Sequence, residues 1–383
     1  MTQNTQIAII GTGFSGLGMA IKLREAGYND FVILEQSDDI GGTWHQNHYP
    51  GCACDVQSAL YSFSFEQNPN WSRMYAQQHE IKAYLKHCAE KYGLMKHIRL
   101  NTHVAGARFD ETHQRWVVET CDSPTLWAYM QERGVKPGDR LDRTDKGLPE
   151  FTTLRADILV SGMGGLSTPA YPEIKGIESF TGKRFHSQDW DHDYDLRGKR
   201  VAVIGTGASA IQFVPEVAKQ AAKVDLYQRT PPWIMPKPDR AIRPVEKRLF
   251  RMFPQTLNAF RQSIYWSLEA RVLGFVGNPR ILKLGELQAR RHIRNQIPDK
   301  ALRRKVTPDF HFGCKRVLIS NNYYPALAQD HVDVVTEGIR EVQGNTVIDG
   351  QGNKRQVDCI IYGTGFRAQD PIPAGMIFGR NGQ

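Results

Sequence analysis

The residues best suited to chemistry are two glycine-rich segments, Gly11–Gly16 and Gly205–Ala210, each preceded by a short β-branched run. An apolar stretch of helical spacing follows each segment, which indicates a strand, a glycine turn and a helix. In such a turn the first glycine permits the bend, the second leaves room for a pyrophosphate, and the third small residue lets helix and strand pack closely. The pyrophosphate lies at the helix N-terminus, where unpaired N–H groups point outward. Two copies in one chain predict two dinucleotides and electron transfer between them.

The side chains that follow each turn predict which dinucleotide it binds. The predicted turn contacts are Gly11, Gly13, Ser15 and Gly16 in the first copy and Gly205, Thr206, Gly207, Ser209 and Ala210 in the second. Glu35 lies 24 residues beyond Gly11, where an acidic side chain can bind the ribose hydroxyls of FAD or NAD. Arg229 lies 24 residues beyond Gly205 with Thr230 beside it, and a guanidinium suits a ribose 2′-phosphate. We therefore predict FAD in the first site and NADP in the second.

Two longer stretches hold aromatic, histidine and acidic residues at fixed spacing. They are residues 42–55, GTWHQNHYPGCACD, and residues 180–191, FTGKRFHSQDWD. At these residues the chain closely resembles the Baeyer-Villiger monooxygenases, a branch of the flavin-containing monooxygenase superfamily. The first stretch matches the family pattern G-x-W-x4-Y-P-G-x3-D and the second matches F-x-G-x3-H-x3-W-D, with every fixed position kept. The resemblance covers essentially the whole chain, including residues 312–316 and the Gly-Thr-Gly after Tyr362.

The resemblance implies an NADPH-dependent flavoprotein monooxygenase. Such an enzyme inserts one oxygen atom of O₂ next to a ketone carbonyl through a C4a-peroxyflavin, and so forms an ester or lactone. The implied cofactors are FAD and NADPH, and the implied partners are a small-molecule ketone and O₂. Three alternatives stay open: an S- or N-oxygenating flavin monooxygenase, an uncoupled NADPH oxidase, and a non-catalytic nucleotide-binding fragment.

The resemblance also implies a catalytic cation, Arg316, with Asp55 as its carboxylate partner and Lys315 in contact with NADP. The peroxide and the tetrahedral intermediate are anionic, and arginine keeps its proton at working pH, so a permanent cation suits this position. An ordinary ion pair is the alternative interpretation of Arg316 and Asp55.

Further roles are implied for residues around the cofactors. Gly42, Thr43, Trp44, Asp55, Tyr61 and Val104 are expected at the flavin, and Gly182, His186 and Trp190 are expected to couple domain movement to turnover. A role for His186 as a general acid or base is the less favoured alternative.

Charge and cysteine content argue against other classes of protein. Much of the basic charge behind the formal net +9 lies in a helical-looking middle stretch, around residues 290–294 and 300–305, without a nucleic-acid recognition motif. We therefore expect solvated helix faces and no nucleic-acid partner. The six cysteines are scattered, Cys52 and Cys54 are too close for an unstrained disulfide, and no metal site is expected. No apolar run has membrane-spanning length and no signal segment precedes the first strand, so a cytoplasmic protein is expected.

The predicted fold class is α/β, with two dinucleotide-binding, Rossmann-like three-layer domains and a helical insertion in the second. The predicted boundaries are 1–165 for the FAD-binding domain, with a surface insertion at 121–150 and partial completion by 362–383; 168–240 and 306–361 for the NADP-binding domain; and 241–305 for the helical insertion. Members of the resembling family continue past the position of Gln383, so the chain is expected to be truncated at its C-terminus.

Overall fold

The structure is a computed structural model that describes residues 3–135, 139, 141, 143–277, 280–370 and 372–382. The chain forms two compact units. Unit 1 comprises Met1–Gln46, His79–Pro169 and Phe366–Gln383, and unit 2 comprises Asn47–Gln78 and Ala170–Gly365. Each unit combines helices with a sheet that is largely or wholly parallel, in keeping with the predicted α/β class.

Strands and helices alternate along much of the chain. The strands are β1 (Gln3–Ile10), β2 (Phe31–Leu34), β3 (Ile98–Arg99), β4 (Thr102–Asp110), β5 (Arg115–Asp122), β6 (Thr152–Ser161), β7 (Lys183–His186), β8 (Arg200–Ile204), β9 (Lys223–Tyr227), β10 (Ile234–Met235), β11 (Leu318–Ile319), β12 (Val332–Val335), β13 (Ile339–Gln343), β14 (Thr346–Asp349), β15 (Lys354–Gln356), β16 (Cys359–Tyr362) and β17 (Ile377–Phe378). The α-helices are α1 (Phe14–Glu25), α2 (Thr43–Gln46), α3 (Gln78–Lys91), α4 (Ser123–Arg133), α5 (Ala210–Ala218), α6 (Pro244–Met252), α7 (Pro254–Glu269), α8 (Arg280–Gln296), α9 (Lys300–Val306) and α10 (Tyr323–Leu327).

Unit 1 contains a seven-stranded sheet in the order β17-β4-β5-β6-β1-β2-β3. Strands β6, β1, β2 and β3 are parallel, whereas β4, β5 and β6 pair antiparallel. Every residue of β2 is buried, as its unbroken apolar sequence predicts for a parallel strand covered on both faces. The first glycine turn follows β1 and leads into α1.

Unit 2 contains a five-stranded parallel sheet in the order β12-β9-β8-β16-β7. The second glycine turn follows β8 and leads into α5, whose side chains are mostly apolar and buried. A three-stranded antiparallel sheet, β13-β14-β15, and a parallel pair, β10-β11, complete the strands described for this unit. Helices α6 to α9 occupy the predicted insertion 241–305.

One long segment departs from the predicted boundaries. Residues 47–78, which we assigned to the FAD-binding domain, belong to unit 2 because their backbone bonds to helices of that unit. For example, the Arg261 guanidinium of α7 donates to the carbonyl oxygens of Ala59 and Leu60 at 2.9 and 2.8 Å. The predicted surface insertion 121–150 contains α4, whose N-cap Asp122 accepts a hydrogen bond from the Thr125 N–H.

Candidate functional site

The first glycine turn has the close backbone contacts that its sequence predicts. Gly11 has a φ of +92°, and its N–H donates to the Leu34 carbonyl at 2.8 Å. A Cβ at Gly16 would lie 1.9 Å from the Gly11 carbonyl oxygen, so α1 starts too close to the turn for any side chain there. Gly162 follows β6 directly and lies on the other side of the turn, where its N–H donates to the Ile10 carbonyl at 2.8 Å.

The second turn has the same construction. Gly205 has a φ of +106° and donates to the Tyr227 carbonyl at 3.1 Å. Gly363, directly after β16, donates to the Ile204 carbonyl at 2.8 Å, and a Cβ at Gly205 would lie only 2.4 Å from the Gly363 carbonyl oxygen. Ala210 is fully buried at the start of α5.

Gly13, the second glycine of the first turn, lies next to another glycine, Gly42. Gly42 has a φ of +54°, and a Cβ on it would lie 2.9 Å from the Gly13 Cα. Thr43 begins the short helix α2 beyond Gly42, and Trp44 in that helix is buried. Side chains at Gly13 or Gly42 would fill the approach to the turn, so the residues present fit a pyrophosphate. Ser15 lies in the first turn of α1 with an exposed side chain.

The second turn is equally open beside its second glycine. The nearest atom to a Cβ built on Gly207 would be the Gly363 carbonyl oxygen, 3.9 Å away. Ser209 precedes α5 and is partly exposed, so the predicted contacts of both copies lie around their respective turns.

Glu35 occupies the predicted ribose position of unit 1 and is buried. Its Oε2 accepts from the Thr12 N–H at 2.9 Å and from the Thr12 hydroxyl at 2.5 Å. Its Oε1 accepts from the Ser37 N–H at 2.9 Å. The carboxylate is therefore held in place by the glycine turn itself.

Glu35 and Arg229 each lie 24 residues beyond the first glycine of their turn, but they do not occupy equivalent positions in the two sheets. Ile10 pairs with Leu34 and Ile204 pairs with Tyr227, so the counterpart of Glu35 is Gln228. The Gln228 side chain is buried and donates to the Lys305 carbonyl at 2.8 Å.

Arg229 follows one position later, and its side chain is exposed. The carbonyl of the next residue, Thr230, accepts from the Thr206 hydroxyl at 3.1 Å. The turn thus fixes the backbone beside Arg229 and leaves its guanidinium accessible to an anion.

Val104 and Tyr61, two other predicted flavin contacts, lie in different units. Val104 is buried on β4 opposite Thr120, at a register shift between Val104 and Gly106. Tyr61 lies in a turn of unit 2, where its N–H donates to the Gln57 carbonyl at 2.9 Å.

The Tyr-Pro-Gly part of the first signature packs on α5, the helix that begins at the second glycine turn. The Tyr49 hydroxyl donates to Gln212 Oε1 at 3.0 Å, and the Tyr49 ring contacts Phe213 edge-on with centroids 6.0 Å apart. Gly51 has a φ of +80°, and a Cβ on it would lie 2.7 Å from the Gln212 carbonyl oxygen. This stretch therefore belongs to the second nucleotide turn rather than the first.

The predicted catalytic pair is present within unit 2. Arg316 Nη2 donates to Asp55 Oδ2 in a short ion pair. The Asp55 side chain is 29% exposed and that of Arg316 is 68% exposed, so the guanidinium is open to solvent. Lys315 is also exposed, and its Nζ lies 4.7 Å from the centre of the Phe310 ring.

The second signature also meets α5. Trp190 is buried between Phe185 and Phe213, with ring centroids 5.2 and 5.3 Å away. A Cβ at Gly182 would lie 2.4 Å from the Asp358 carbonyl oxygen, so this position requires glycine. Both signatures thus contact the same residue, Phe213.

His186 is fully buried in the second signature. Its Nε2 lies 3.1 Å from the Gly365 carbonyl, and its Nδ1 accepts from the Gln188 N–H at 3.1 Å. Burial lowers the pKa of His186 to about 4, so the ring is neutral at physiological pH. A neutral, buried ring with both nitrogens in these contacts does not favour the alternative role of His186 as a general acid or base.

Three contributors to the site escaped sequence reasoning. Gln212 is the one polar residue among the first six of α5, which is the signal that could have found it. His192 follows the second signature, and its Nε2 lies 2.8 Å from Nδ1 of His48 in the first. Burial lowers the pKa of the Lys237 ammonium, and the negative charges of Asp239 and Asp55 offset part of this effect.

Two other features of unit 2 lie apart from this chemistry. Burial raises the pKa values of the Cys52 and Cys54 thiols to about 12, which makes them poor nucleophiles. A pocket of about 510 Å³ includes Gly182, Lys199 and Asp358 in its wall. It opens at the start of β8, the end opposite the glycine turn.

Comparison with known proteins assigns the chain to a class. A family described as "NAD(P)-binding Rossmann-like domain" matches residues 9–77, and one described as "Flavin-binding monooxygenase-like" matches residues 156–274. The first match includes the first glycine turn and the second match includes the second turn, which points to a flavin-binding monooxygenase-like class. In the described residues, no helix is long and apolar enough to cross a membrane.

Relatives define the family more narrowly. A Baeyer-Villiger monooxygenase of Pseudomonas aeruginosa is 55% identical over 381 residues, covering 100% of this chain and 67% of the relative. One of Streptomyces coelicolor is 44% identical over 382 residues, covering 100% and 68%. The crystal structure of OTEMO in complex with FAD and NADP matches with a TM-score of 0.80 and 27% identity, covering 100% of this chain and 75% of that one. The chain belongs to the Baeyer-Villiger monooxygenase family, which confirms the predicted family, fold class, cofactors and type of enzyme.

Proposed function

We propose that this chain uses NADPH and O₂ to convert a ketone into an ester or lactone, with FAD at the turn of unit 1 and NADPH at the turn of unit 2. Glu35 would bind the FAD ribose, whereas Arg229 and Lys315 would bind the NADP phosphate groups. When bound, the reduced flavin supplies the electrons that activate O₂. The ion pair between Asp55 and Arg316 is the observation that carries the proposal, because it holds an exposed permanent cation where the family pattern expects one.

Arg316 stabilises the negative charge that develops as oxygen adds to the carbonyl. A guanidinium cannot lose its proton at working pH, so its charge is independent of the ketone. Asp55 orients the guanidinium. Trp44 excludes water from the flavin face, and Trp190 and His186 keep the second signature packed on α5. Oxygenation of a ketone rather than of sulfur or nitrogen follows from the family assignment.

The experiment is incubation with NADPH, O₂ and a panel of cyclic, linear and aryl ketones, with sulfides in parallel and products identified by mass. Arg316→Ala should retain flavin but lose ester formation by about 100-fold or more, the usual cost of removing a preorganised charge stabiliser. Arg197→Ala is the matched control, because Arg197 is exposed and paired with Asp195 in the same unit. Full ester yield from Arg316→Ala, or sulfoxide as the only product of the unmodified enzyme, would contradict the proposal.

A further inference from the structure

Gln212 connects the second nucleotide turn to the loop that carries Asp55. It is the third residue of α5, the helix that begins at the glycine turn. The other side chains of this helix are apolar up to Glu216, and the partly buried Gln212 amide is in hydrogen-bond contact with a neighbouring segment. That segment is the 47–55 loop.

Three hydrogen bonds use both ends of the Gln212 amide. Oε1 accepts from the Tyr49 hydroxyl at 3.0 Å and from the Ala53 N–H at 3.2 Å. Nε2 donates to the Ala53 carbonyl at 2.9 Å. The side chain therefore pairs with the Ala53 backbone as a neighbouring strand would, and it does so two residues before Asp55.

The backbone of α5 makes an independent contact with the same loop. The Gln212 carbonyl oxygen is so close to Gly51 that no Cβ fits between them. Tyr49 also contacts Phe213, the next residue of the helix. The loop is thus fixed to α5 on both sides of its bend, and its last residue is the carboxylate that binds Arg316.

We propose that Gln212 is a positioning residue: it fixes the 47–55 loop to the nucleotide-turn helix and so holds Asp55 against Arg316. This inference rests on the proposed function for its effect on catalysis. The hydrogen bonds between Gln212 and the 47–55 loop are made by the protein without cofactors. It would let the second nucleotide site set the orientation of the cation that serves the oxygenation step.

The test compares Gln212→Leu with Gln212→Glu, which keeps the acceptor but loses the donor. The matched control is Gln220→Leu, which changes an exposed glutamine beyond the same helix. Hydrogen exchange at the Ala53 N–H and labelling of Arg316 by phenylglyoxal, read by peptide mass, are measured on the protein without cofactors. Asp55→Asn defines the labelling rate of an unpaired Arg316.

Gln212→Leu should speed Ala53 exchange by about 25-fold, since the two hydrogen bonds to the Ala53 backbone are lost at about fivefold each. Arg316 labelling should rise toward the Asp55→Asn rate, Gln212→Glu should be intermediate, and Gln220→Leu should match the unmodified protein. In the loaded enzyme, ester formed per NADPH consumed should fall while the KM for NADPH stays unchanged.

Arg316 labelling at the unmodified rate in a folded Gln212→Leu protein would overturn the inference, as would no effect of Asp55→Asn. If Gln212→Leu fails to fold, Tyr49→Phe removes one of the three bonds and should give a smaller rise in labelling. An unchanged rate in that variant would also overturn it. Failure of the proposed function has a different signature, namely ester formation that survives Arg316→Ala.

Discussion

The glycine turns of the two units have the same backbone arrangement but differ in the side chains around them. In each, the turn follows the middle strand of a parallel triplet and is flanked by a second glycine after the neighbouring strand, Gly162 or Gly363. In unit 1 the turn threonine bonds to the Glu35 carboxylate, whereas in unit 2 it bonds to a backbone carbonyl and leaves Arg229 exposed. The same fold therefore prepares one site with a fixed acid and the other with a free cation.

The largest expected difference in stability between the two turns concerns the third small residue, which is Gly16 in unit 1 and Ala210 in unit 2. Gly16→Ala should destabilise unit 1 by about 4 kcal/mol or more and abolish flavin binding, because the new Cβ overlaps the Gly11 carbonyl oxygen. Ala210→Gly, the reciprocal change in unit 2, should cost only about 1 kcal/mol. Urea unfolding and flavin absorbance measure both effects. Equal losses in the two variants would show that the two turns pack alike.

Buried histidines should make both units sensitive to acid. The pKa of His186 is lowered by burial from 6.5 to about 4, so between these values the unfolded chain binds a proton that the folded unit does not. Stability should therefore fall as pH drops through this window, by about 3 kcal/mol in total. Burial also lowers the pKa of His103 in unit 1 to about 4, so this ring should contribute a loss in the same direction. Urea unfolding of His186→Gln and His103→Gln across pH 4 to 7 tests this, and an unaltered pH slope in both variants would refute it.

The first glycine of each turn should differ in tolerance. Both have positive φ, so alanine at either position carries about 1 kcal/mol of backbone strain. At Gly205 the Cβ also overlaps the Gly363 carbonyl oxygen, whereas at Gly11 the nearest atom would be 3.1 Å away. Gly205→Ala should therefore be about 2 kcal/mol more destabilising than Gly11→Ala in urea unfolding. The reverse order would contradict this difference in packing between the two turns.

The smallest expected effect concerns cofactor choice. Arg229→Ala should raise the KM for NADPH about tenfold and leave that for NADH unchanged, since only a charged hydrogen bond to the 2′-phosphate is lost. Arg229→Lys should retain part of the preference because it keeps the charge without the forked geometry. Steady-state NADPH and NADH oxidation measure it, and an unchanged preference in Arg229→Ala would move the 2′-phosphate contact elsewhere.

Sequence reasoning succeeded where the information is local. The glycine turns, the strand that precedes each, and the helical character of residues 241–305 follow from short-range spacing and composition. The pairing of Asp55 with Arg316, 261 residues apart, came from family resemblance and is present in unit 2.

What the sequence could not predict depends on register and tertiary contact. Counting 24 residues made Arg229 the counterpart of Glu35, but the connection in unit 2 is one residue shorter between paired strands, which places Gln228 there. The 47–78 segment was assigned to the FAD-binding domain by proximity in sequence, although some of its hydrogen bonds are made to α5 and α7 of unit 2. No local sequence pattern predicts such a tertiary contact.

The exposure of the Asp55–Arg316 pair sets how firmly the guanidinium is held. Ion pairs open to water contribute about 1 kcal/mol at most, because water solvates both partners when they separate. Replacing the Asp55 carboxylate by another anion beside Arg316 should therefore change the free energy of the protein little, because the guanidinium stays in contact with water throughout. A guanidinium held in this way can exchange one anion for another, and added salt should weaken the ion pair as it weakens other surface pairs.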